Sequence, residues 1–454
     1  MFSIKTDSRK VKNGDTFVAL RGLSSDGHDY IEKAIQNGAT TIVAEEGSYS
    51  VETKIVEDTT KYLEDLLYEK YHTYLEEMVI VGVTGTNGKT TTSYLLYEAL
   101  NKLNKKAAYI GTVGFYKQSK VCDLPNTSPA LCDMYEMLVD CYETGYRYVV
   151  MEVSSQGLSY GRMNTILFDY AIFTNLTQDH LDYHKTMENY ALAKQKLFHQ
   201  LKENGISIVN IDDEYHSYYE IGNVITYGCN VSNYQLKDMH LNSFNSEFSV
   251  NDLSIHTSLI GKYNVYNVLC AVIVLDLMKI EKKEIERVIP TLSAPPGRMD
   301  MIPFHKNTII IDYAHTPDAM ENIIHTVEEL PHKHIYIVFG CTGSRDAKKR
   351  PIMMRIALEY ASFVVVTSDD LHEEEFDDIV KDMLEGNDKS HYKVLKNRYE
   401  AVKYGMSLLH EEDLLLILGK GHEEFIIVHE DKIPFNDRKA VEELIAKESH
   451  KIES

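Results

Sequence analysis

The sequence predicts a three-domain α/β protein: a small N-terminal α/β domain (residues 1–77), a central P-loop domain built on a parallel sheet (78–296) and a C-terminal Rossmann-like α/β domain (297–454). Three observations predict it. From residue 78 onward, apolar runs of strand length alternate with helical stretches, which implies a parallel sheet covered by helices. One run leads straight into the glycine-rich segment Gly82-Val83-Thr84-Gly85-Thr86-Asn87-Gly88-Lys89-Thr90-Thr91 and then into an amphipathic stretch, so strand, loop and helix follow one another. Ala294-Pro295-Pro296-Gly297 interrupts the alternation and marks a boundary. A chain of 454 residues accommodates about three domains of ordinary size.

In order, residues 16–20 read as a strand, 22–27 as a turn, 30–37 as a helix and 40–44 as a second strand. The central domain starts with a strand over 78–81 and a helix over 93–103. Further strands are expected at 107–110, 148–153, 170–174 and 206–211. Residues 231–259 alternate polar and apolar types around Asn and Ser, which suits antiparallel strands added at an edge. Beyond the boundary, apolar runs at 308–311, 335–339, 363–367 and 414–418 predict a second parallel layer. No internal repeat or low-complexity segment is present.

Hydrophobic content of 44% and charged content of 26% are ordinary for globular proteins, and a net charge of -22 argues against a nucleic-acid surface. Six scattered Cys, with no Cys-x-x-Cys pair and no signal-peptide pattern, predict free thiols and a cytoplasmic setting. No stretch approaches the ~18 apolar residues of a membrane span, so no membrane insertion is expected.

The glycine loop carries the clearest chemistry. Its backbone N–H groups can close around phosphate oxygens, the helix start adds partial positive charge, Lys89 reaches terminal phosphates and Thr90 or Thr91 suits Mg²⁺. Val83 stands where the usual pattern has its first Gly, so a strict pattern would miss the loop. Two further clusters follow strands: Glu152 with Val153-Ser154-Ser155-Gln156-Gly157, and the run Thr174 to His184 containing Asp179 and His180. Ligands of open α/β sheets bind at such carboxyl ends. A His-Asp loop is by default a surface turn; the neighbouring phosphate loop makes His180 a candidate Mg²⁺ ligand beside a carboxylate.

These residues, with Asp7-Ser8-Arg9, Asp26-Gly27-His28, Asn126-Thr127-Ser128-Pro129, Ala193-Lys194, Gly261 to Asn267, Pro296-Gly297-Arg298-Met299, Asp312-Tyr313-Ala314-His315-Thr316-Pro317, Arg345-Asp346 with Lys349-Arg350-Pro351, and Gly419-Lys420-Gly421-His422-Glu423, resemble the Mur ligase family over nearly the whole chain. Within it the likeness is to the tripeptide-forming synthetases. The resemblance implies a monomeric ATP-dependent ligase, releasing ADP and phosphate, that joins a free amino acid to UDP-N-acetylmuramoyl-L-alanyl-D-glutamate in peptidoglycan synthesis. It places Gly85, Thr86, Asn87, Gly88, Lys89, Thr90, Thr91, Asn264, Asn267, Arg298 and Asp312 at ATP, and Thr90, Glu152, His180 and carbamylated Lys194 at Mg²⁺. Lys89, Glu152, His180 and Lys194 are its implied catalytic residues. Without the resemblance, Lys194 would read as a solvated helix lysine. Ser8, Ser24 and Ser25 match the UDP end, and Thr127, Ser128, Ser154 and Arg162 the sugar-peptide portion. The chain begins close to Asp7 without the leader familiar from the family, so a trimmed or rebuilt uracil pocket is expected.

The amino-acid site is implied at Arg345, Asp369, Asp370, Gly419 and Glu423. Arg345 offers a planar fork to an α-carboxylate. Diaminopimelate-adding members carry Asp-Asn-Pro-Arg where this chain has Asp369-Asp370-Leu371-His372. Losing that guanidinium while keeping acids leans towards L-lysine or ornithine, with Lys420, His422 or Arg438 as possible replacement cations. The acidic run Glu373 to Glu375 reads as a solvated helix start. The same reaction with meso-diaminopimelate or another amino acid, a folylpolyglutamate-like or peptidoglycan-tailoring ligase, and a non-catalytic nucleotide-binding protein are the rival readings.

Overall fold

Strand Val79–Thr84 lies at the centre of the molecule, and its sequence explains why. Val79, Ile80 and Val81 make an unbroken apolar run up to Gly82, where a Cβ would stand 2.8 Å from Leu197 and 2.9 Å from Phe168, so glycine lets the flanking layer close on the sheet without displacing those side chains. The computed structural model describes residues 3–22, 25–242, 245–387 and 390–452. Among them, Phe168–Phe173 and Tyr148–Glu152 pair with this strand in parallel on either side. Leu201–Asn210 and Asn223–Gly228 extend the sheet one way and Ala107–Gly111 the other. The glycine loop, Glu152 and the 174–184 segment therefore leave the sheet side by side at its carboxyl edge, the usual binding crevice of such sheets.

The expected antiparallel edge is present as Tyr234–Leu241, Ser246–Val250 and Leu253–Thr257. Its first strand joins Asn223–Gly228 in parallel. A hairpin, Gly114–Tyr116 with Lys120–Cys122, ends the other edge.

The N-terminal sheet has four parallel strands, Ile4–Lys5, Thr16–Val18, Thr41–Ala44 and Glu52–Ile55. Helix Thr59–Glu76 follows; Asp58 accepts from Lys61 N at 2.9 Å, and Leu63, Leu67, Tyr71 and Leu75, spaced by one turn, bury one stripe. That stripe meets helix Leu131–Glu143, with Tyr71 and Tyr135 rings 6.3 Å apart.

The C-terminal sheet runs Asp300–Phe304, Asn307–Asp312, Leu414–Leu418, Ile335–Phe339, Phe363–Val366, Tyr392–Val394. Only the first of these strands is antiparallel, and it carries Pro303, which suits an edge. Leu414 to Leu418 are all buried, as expected of a strand covered on both faces. No described helix is long and apolar enough to cross a membrane.

Candidate functional site

The glycine loop holds its shape through two positive φ angles. Gly85 (φ +150°) would place a Cβ 1.9 Å from Thr174 Oγ1, and Gly88 (φ +84°) one 2.5 Å from Asn267 Oδ1. Neither position has room for a side chain. Helix Lys89–Lys102 starts there, and Lys89 Nζ folds back to donate to the carbonyls of Gly85 (2.9 Å) and Thr86 (2.8 Å). Burial pushes the Lys89 ammonium below its ordinary range, against the opposing pull of Glu152 and Asp179. Thr91 lines the same cleft, of about 1300 Å³.

Glu152 is fully buried at the end of its strand. Its Oε2 accepts from Thr90 Oγ1 (2.8 Å) and Thr112 Oγ1 (3.0 Å), and its Oε1 from Thr112 N (2.8 Å) and the Tyr109 hydroxyl. Thr112 and Tyr109 carry no motif signal in the sequence. On the far side, Ser128 Oγ donates to the Glu152 carbonyl (3.2 Å), Ser154 Oγ donates to Ser128 Oγ (3.2 Å), Arg162 donates to the Ser128 carbonyl (2.9 Å), and Thr127 Oγ1 meets Thr112 Oγ1 at 3.1 Å. The four residues expected at the sugar-peptide portion are thus one cluster beside Glu152. Ser8 and Ser25 are elsewhere, in the N-terminal domain, and neither lines the cleft. The Ser8 carbonyl accepts from Asn37 and that of Ser25 from Gly22. Ser24 lies outside the described residues.

Lys194, on helix Met187–Gln195, is 1% exposed, donates to the Gly85 carbonyl at 2.7 Å and lies 4.3 Å from the Tyr190 ring centre. Burial, and then the charge of Lys89, push its amine well below the ordinary lysine range. His180 (φ +54°) lines the cleft; burial pushes its imidazole down to about 4, so it is neutral at pH 7 and able to ligate. Thr90 and Glu152 supply hard oxygen donors and His180 a nitrogen. A neutral Lys194 amine is the form that takes up CO₂ to become an anion, so this donor set fits Mg²⁺.

Asn264 and Asn267 sit on helix Lys262–Leu277 behind the loop; Asn267 Nδ2 donates to Asn264 Oδ1 (3.2 Å) and its Oδ1 accepts from Thr92 Oγ1 (3.2 Å). Arg298 crosses from the C-terminal domain, donating to Thr90 Oγ1 at 3.4 Å with its guanidinium 4.6 Å from the Tyr313 ring centre. Its Nε is buried without a partner among the described residues. Asp312 accepts from Met299 N (2.7 Å) and Ala314 N (2.8 Å); burial raises its carboxyl, opposed by Arg298. Three further contacts span these domains: Asn87 Nδ2 to Asp318 (2.5 Å), Gln178 Nε2 to Asp346 (3.2 Å) and Lys349 Nζ to Asp179 (3.3 Å). Of these residues, sequence reading passed over Asp318, and it placed Lys349 in a family-like stretch with Arg350 and Pro351 without giving it a role. A lysine near an Arg-Asp pair carries no signal of its own until the fold sets it against a carboxylate.

Across the cleft, Asp369 is laid over Gly419, whose Cβ would stand 2.5 Å from Asp369 Oδ2. Asp370 accepts from Lys420 Nζ and Ile427 N at 2.7 and 2.8 Å, and Lys420 also pairs with Glu423. The three carboxylates thus already surround an ammonium from this chain. Burial raises the Glu423 carboxyl to about 7; Lys420 opposes the rise, and Asp369 and Asp370 add to it. Arg345 is exposed in the cleft and His372 lines it. Arg438 is engaged by Asp300 and Glu442. Glu374 forms a two-donor pair with Arg350.

Comparison with known proteins agrees with this arrangement. The sequence profiles of the Mur ligase family catalytic domain, the Mur ligase middle domain and the Mur ligase glutamate ligase domain match residues 3–79, 83–275 and 297–421. The UDP-N-acetylmuramoyl-L-alanyl-D-glutamate–2,6-diaminopimelate ligase of Clostridium botulinum is 37% identical, covering 97% of this chain and 94% of the relative. The Bacillus cereus ligase of the same name is 36% identical, over 98% and 94%. A solved ligase of that name superposes with a TM-score of 0.67 at 29% identity, over 99% and 96%. MurF from Thermotoga maritima in complex with ADP shares the fold, with a TM-score of 0.71 at 21% identity over 99% and 98%. Across the three matched domains and the sheet edge that gathers their motifs, the chain is an ATP-dependent ligase belonging to the Mur ligase family.

Proposed function

We propose that the protein adds the third amino acid to UDP-N-acetylmuramoyl-L-alanyl-D-glutamate, at the expense of ATP, during peptidoglycan precursor synthesis. One observation carries the reading: the phosphate loop, Thr127, Ser154 and Arg162 of the cluster beside Glu152, and the Asp369–Glu423 acids all line a single cleft, in a chain whose 36–37% identical relatives bear the name of that reaction. The substrate carboxylate attacks the γ-phosphate and ADP leaves. The amino group of the incoming amino acid then attacks the acyl carbon of the acyl phosphate and phosphate leaves. Lys89 and Arg298 neutralise charge as the two anions approach. Thr90, Glu152, His180 and Lys194 as its carbamate would hold Mg²⁺, which when bound adds further neutralisation of phosphate charge. Asn264 and Asn267 take the adenine side, Asp312 orients the Arg298 segment, and Ser8 and Ser25 belong to the UDP end.

The acceptor we propose is L-lysine. Its α-carboxylate meets Arg345 and its side-chain ammonium meets Asp369 and Glu423, while His372 stands in place of the guanidinium expected for a second carboxylate. A specific observation favours meso-diaminopimelate as the second reading, beside the relatives' names. Lys432, paired with Ile427 in the hairpin Phe425–Val428 and Asp431–Pro434, shares with it the face that lines the cleft next to Asp370. Measuring kcat/KM for both amino acids with the same UDP-linked dipeptide, with Lys89→Ala as the inactive control, decides between them. One charge-assisted hydrogen bond corresponds to about ten- to a hundredfold discrimination. Preference for lysine, unaltered in Lys432→Ala, is expected. Preference for diaminopimelate that collapses in Lys432→Ala would transfer the missing guanidinium's role to Lys432. No phosphate release with any amino acid would overturn the reaction itself.

A further inference from the structure

Strands Phe363–Val366 and Leu414–Leu418 lead into the two loops that carry Asp369 and Gly419, yet they are not neighbours: Ile335–Phe339 lies between them. Ladder hydrogen bonds therefore do not set one loop directly against the other. Arg398 does. At the first turn of helix Arg398–Ser407 its side chain is 0% exposed, and its guanidinium donates to the carbonyl of Ser368 (Nη1, 3.1 Å) and to that of Leu418 (Nη2, 2.9 Å), the residues immediately before Asp369 and Gly419. Its other edge is filled by Asp437, also 0% exposed, through Nε–Oδ1 and Nη2–Oδ2 contacts of 2.8 Å each. Asp437 opens helix Asp437–Ile452, so four elements converge on one guanidinium.

We propose that Arg398, held by Asp437, is a positioning residue that sets the acceptor amino-acid site by fixing the Asp369 loop over the Gly419 loop. The match is tight at this point. Asp369 Oδ2 lies against Gly419, and a Cβ on Gly340, at the end of the intervening strand, would meet the Thr367 carbonyl at 2.3 Å and Asp369 N at 2.9 Å. A small slip of either loop shifts Asp369 relative to Lys420 and Glu423, and so alters the pair of acids, Asp369 and Glu423, that face an incoming ammonium. A buried ion pair is poor evidence for stability as such, since apolar replacements of similar volume are often neutral. Its use here lies in the two carbonyls that only a planar, multidentate donor can span.

The inference rests on the acceptor reading above, and wild-type enzyme tests that reading separately: phosphate release that depends on the added amino acid establishes it. The deciding variants are Arg398→Lys, which keeps the charge and loses the fork, and Asp437→Asn, which keeps the size and weakens the hold on the guanidinium. Expected is a rise of about tenfold or more in KM for the amino acid, in line with the cost of a sub-ångström to ångström misplacement, with KM for ATP and for the UDP-linked dipeptide within about twofold of wild type. If Arg398→Lys does not fold, Asp437→Asn carries the test. Equal shifts in all three KM values, a loss that merely follows a lowered Tm, or unchanged kinetics in soluble Asp437→Asn would each overturn the proposal.

Discussion

Lys194 shows how one residue's surroundings set its chemistry. An ordinary lysine is an ammonium at pH 7 and cannot add CO₂. Here burial and the nearby Lys89 favour the neutral amine, and the side chain already points at the loop carbonyl of Gly85. Lys194→Ala should lose at least about a hundredfold in kcat, the scale of removing one preorganised electrostatic partner, and regain part of it with added formate or acetate. Intact-mass measurement of active, CO₂-equilibrated wild type should show one added carbon dioxide; a fully active unmodified protein would exclude the carbamate. Glu423 offers a second residue-scale test. Its carboxyl, raised to about 7, is largely protonated at pH 6 and ionised at pH 8, so its attraction for an incoming ammonium grows as pH rises. KM for the amino acid should fall between pH 6 and 8 relative to Glu423→Gln. The nucleophile's own deprotonation is common to both enzymes, so the difference between the two profiles isolates this carboxylate.

At the scale of elements, strands were legible where burial on both faces left a continuous apolar run, as in Val79–Thr84, Tyr148–Glu152 and Leu414–Leu418. They were hidden where an edge breaks that run. Asp300–Phe304 contains Pro303, and exposed Glu52–Ile55 and Lys120–Cys122 look like polar loop. The helix Thr59–Glu76 was missed because its stripe of Leu63, Leu67, Tyr71 and Leu75 is narrow among charged residues. The site was legible to the extent that chemistry sat in contiguous motifs. Glu152 and Lys89 were singled out that way and Lys194 only through the family resemblance, whereas Thr112, Lys349 and Arg398 meet partners at least twenty residues away in sequence. The junction of loop and helix gives an element-scale prediction. Gly88→Ala puts a Cβ at φ +84° and 2.5 Å from Asn267 Oδ1, a conformation costing roughly 1–2 kcal/mol before any displacement of the asparagine. KM for ATP should rise several-fold with little change in KM for the amino acid. Wild-type ATP affinity in this variant would show that Asn267 yields without consequence.

The proposed reaction needs lobes that meet, because the phosphate loop belongs to the central domain while Arg298, Arg345 and the proposed acceptor acids belong to the C-terminal one. The apolar cores of the two lobes are distinct except for Ile260 of the central domain, which packs into the C-terminal core, so beyond that residue their approach draws on a few polar contacts. Among these, Asp179 with Lys349 is the most enclosed, at 6% and 5% side-chain exposure. Burial raises the Asp179 carboxyl, yet Lys349, His180 and His315 together outweigh it and hold the carboxyl far below its ordinary value. The sign is that of a depressed acid: the pair's contribution is complete above pH 4 and is lost only in strong acid, so the lobes stay joined across any working pH. Lys349→Met would leave a buried carboxylate without its main counter-charge, a cost of about 3–5 kcal/mol borne by the closed arrangement rather than by either core. We therefore expect Lys349→Met to unfold near the wild-type Tm while its radius of gyration by small-angle scattering increases and KM rises for both ATP and the amino acid. An unchanged radius of gyration with wild-type kinetics would show that the remaining contacts, Arg298–Thr90, Asn87–Asp318 and Gln178–Asp346 among them, suffice to hold the lobes together.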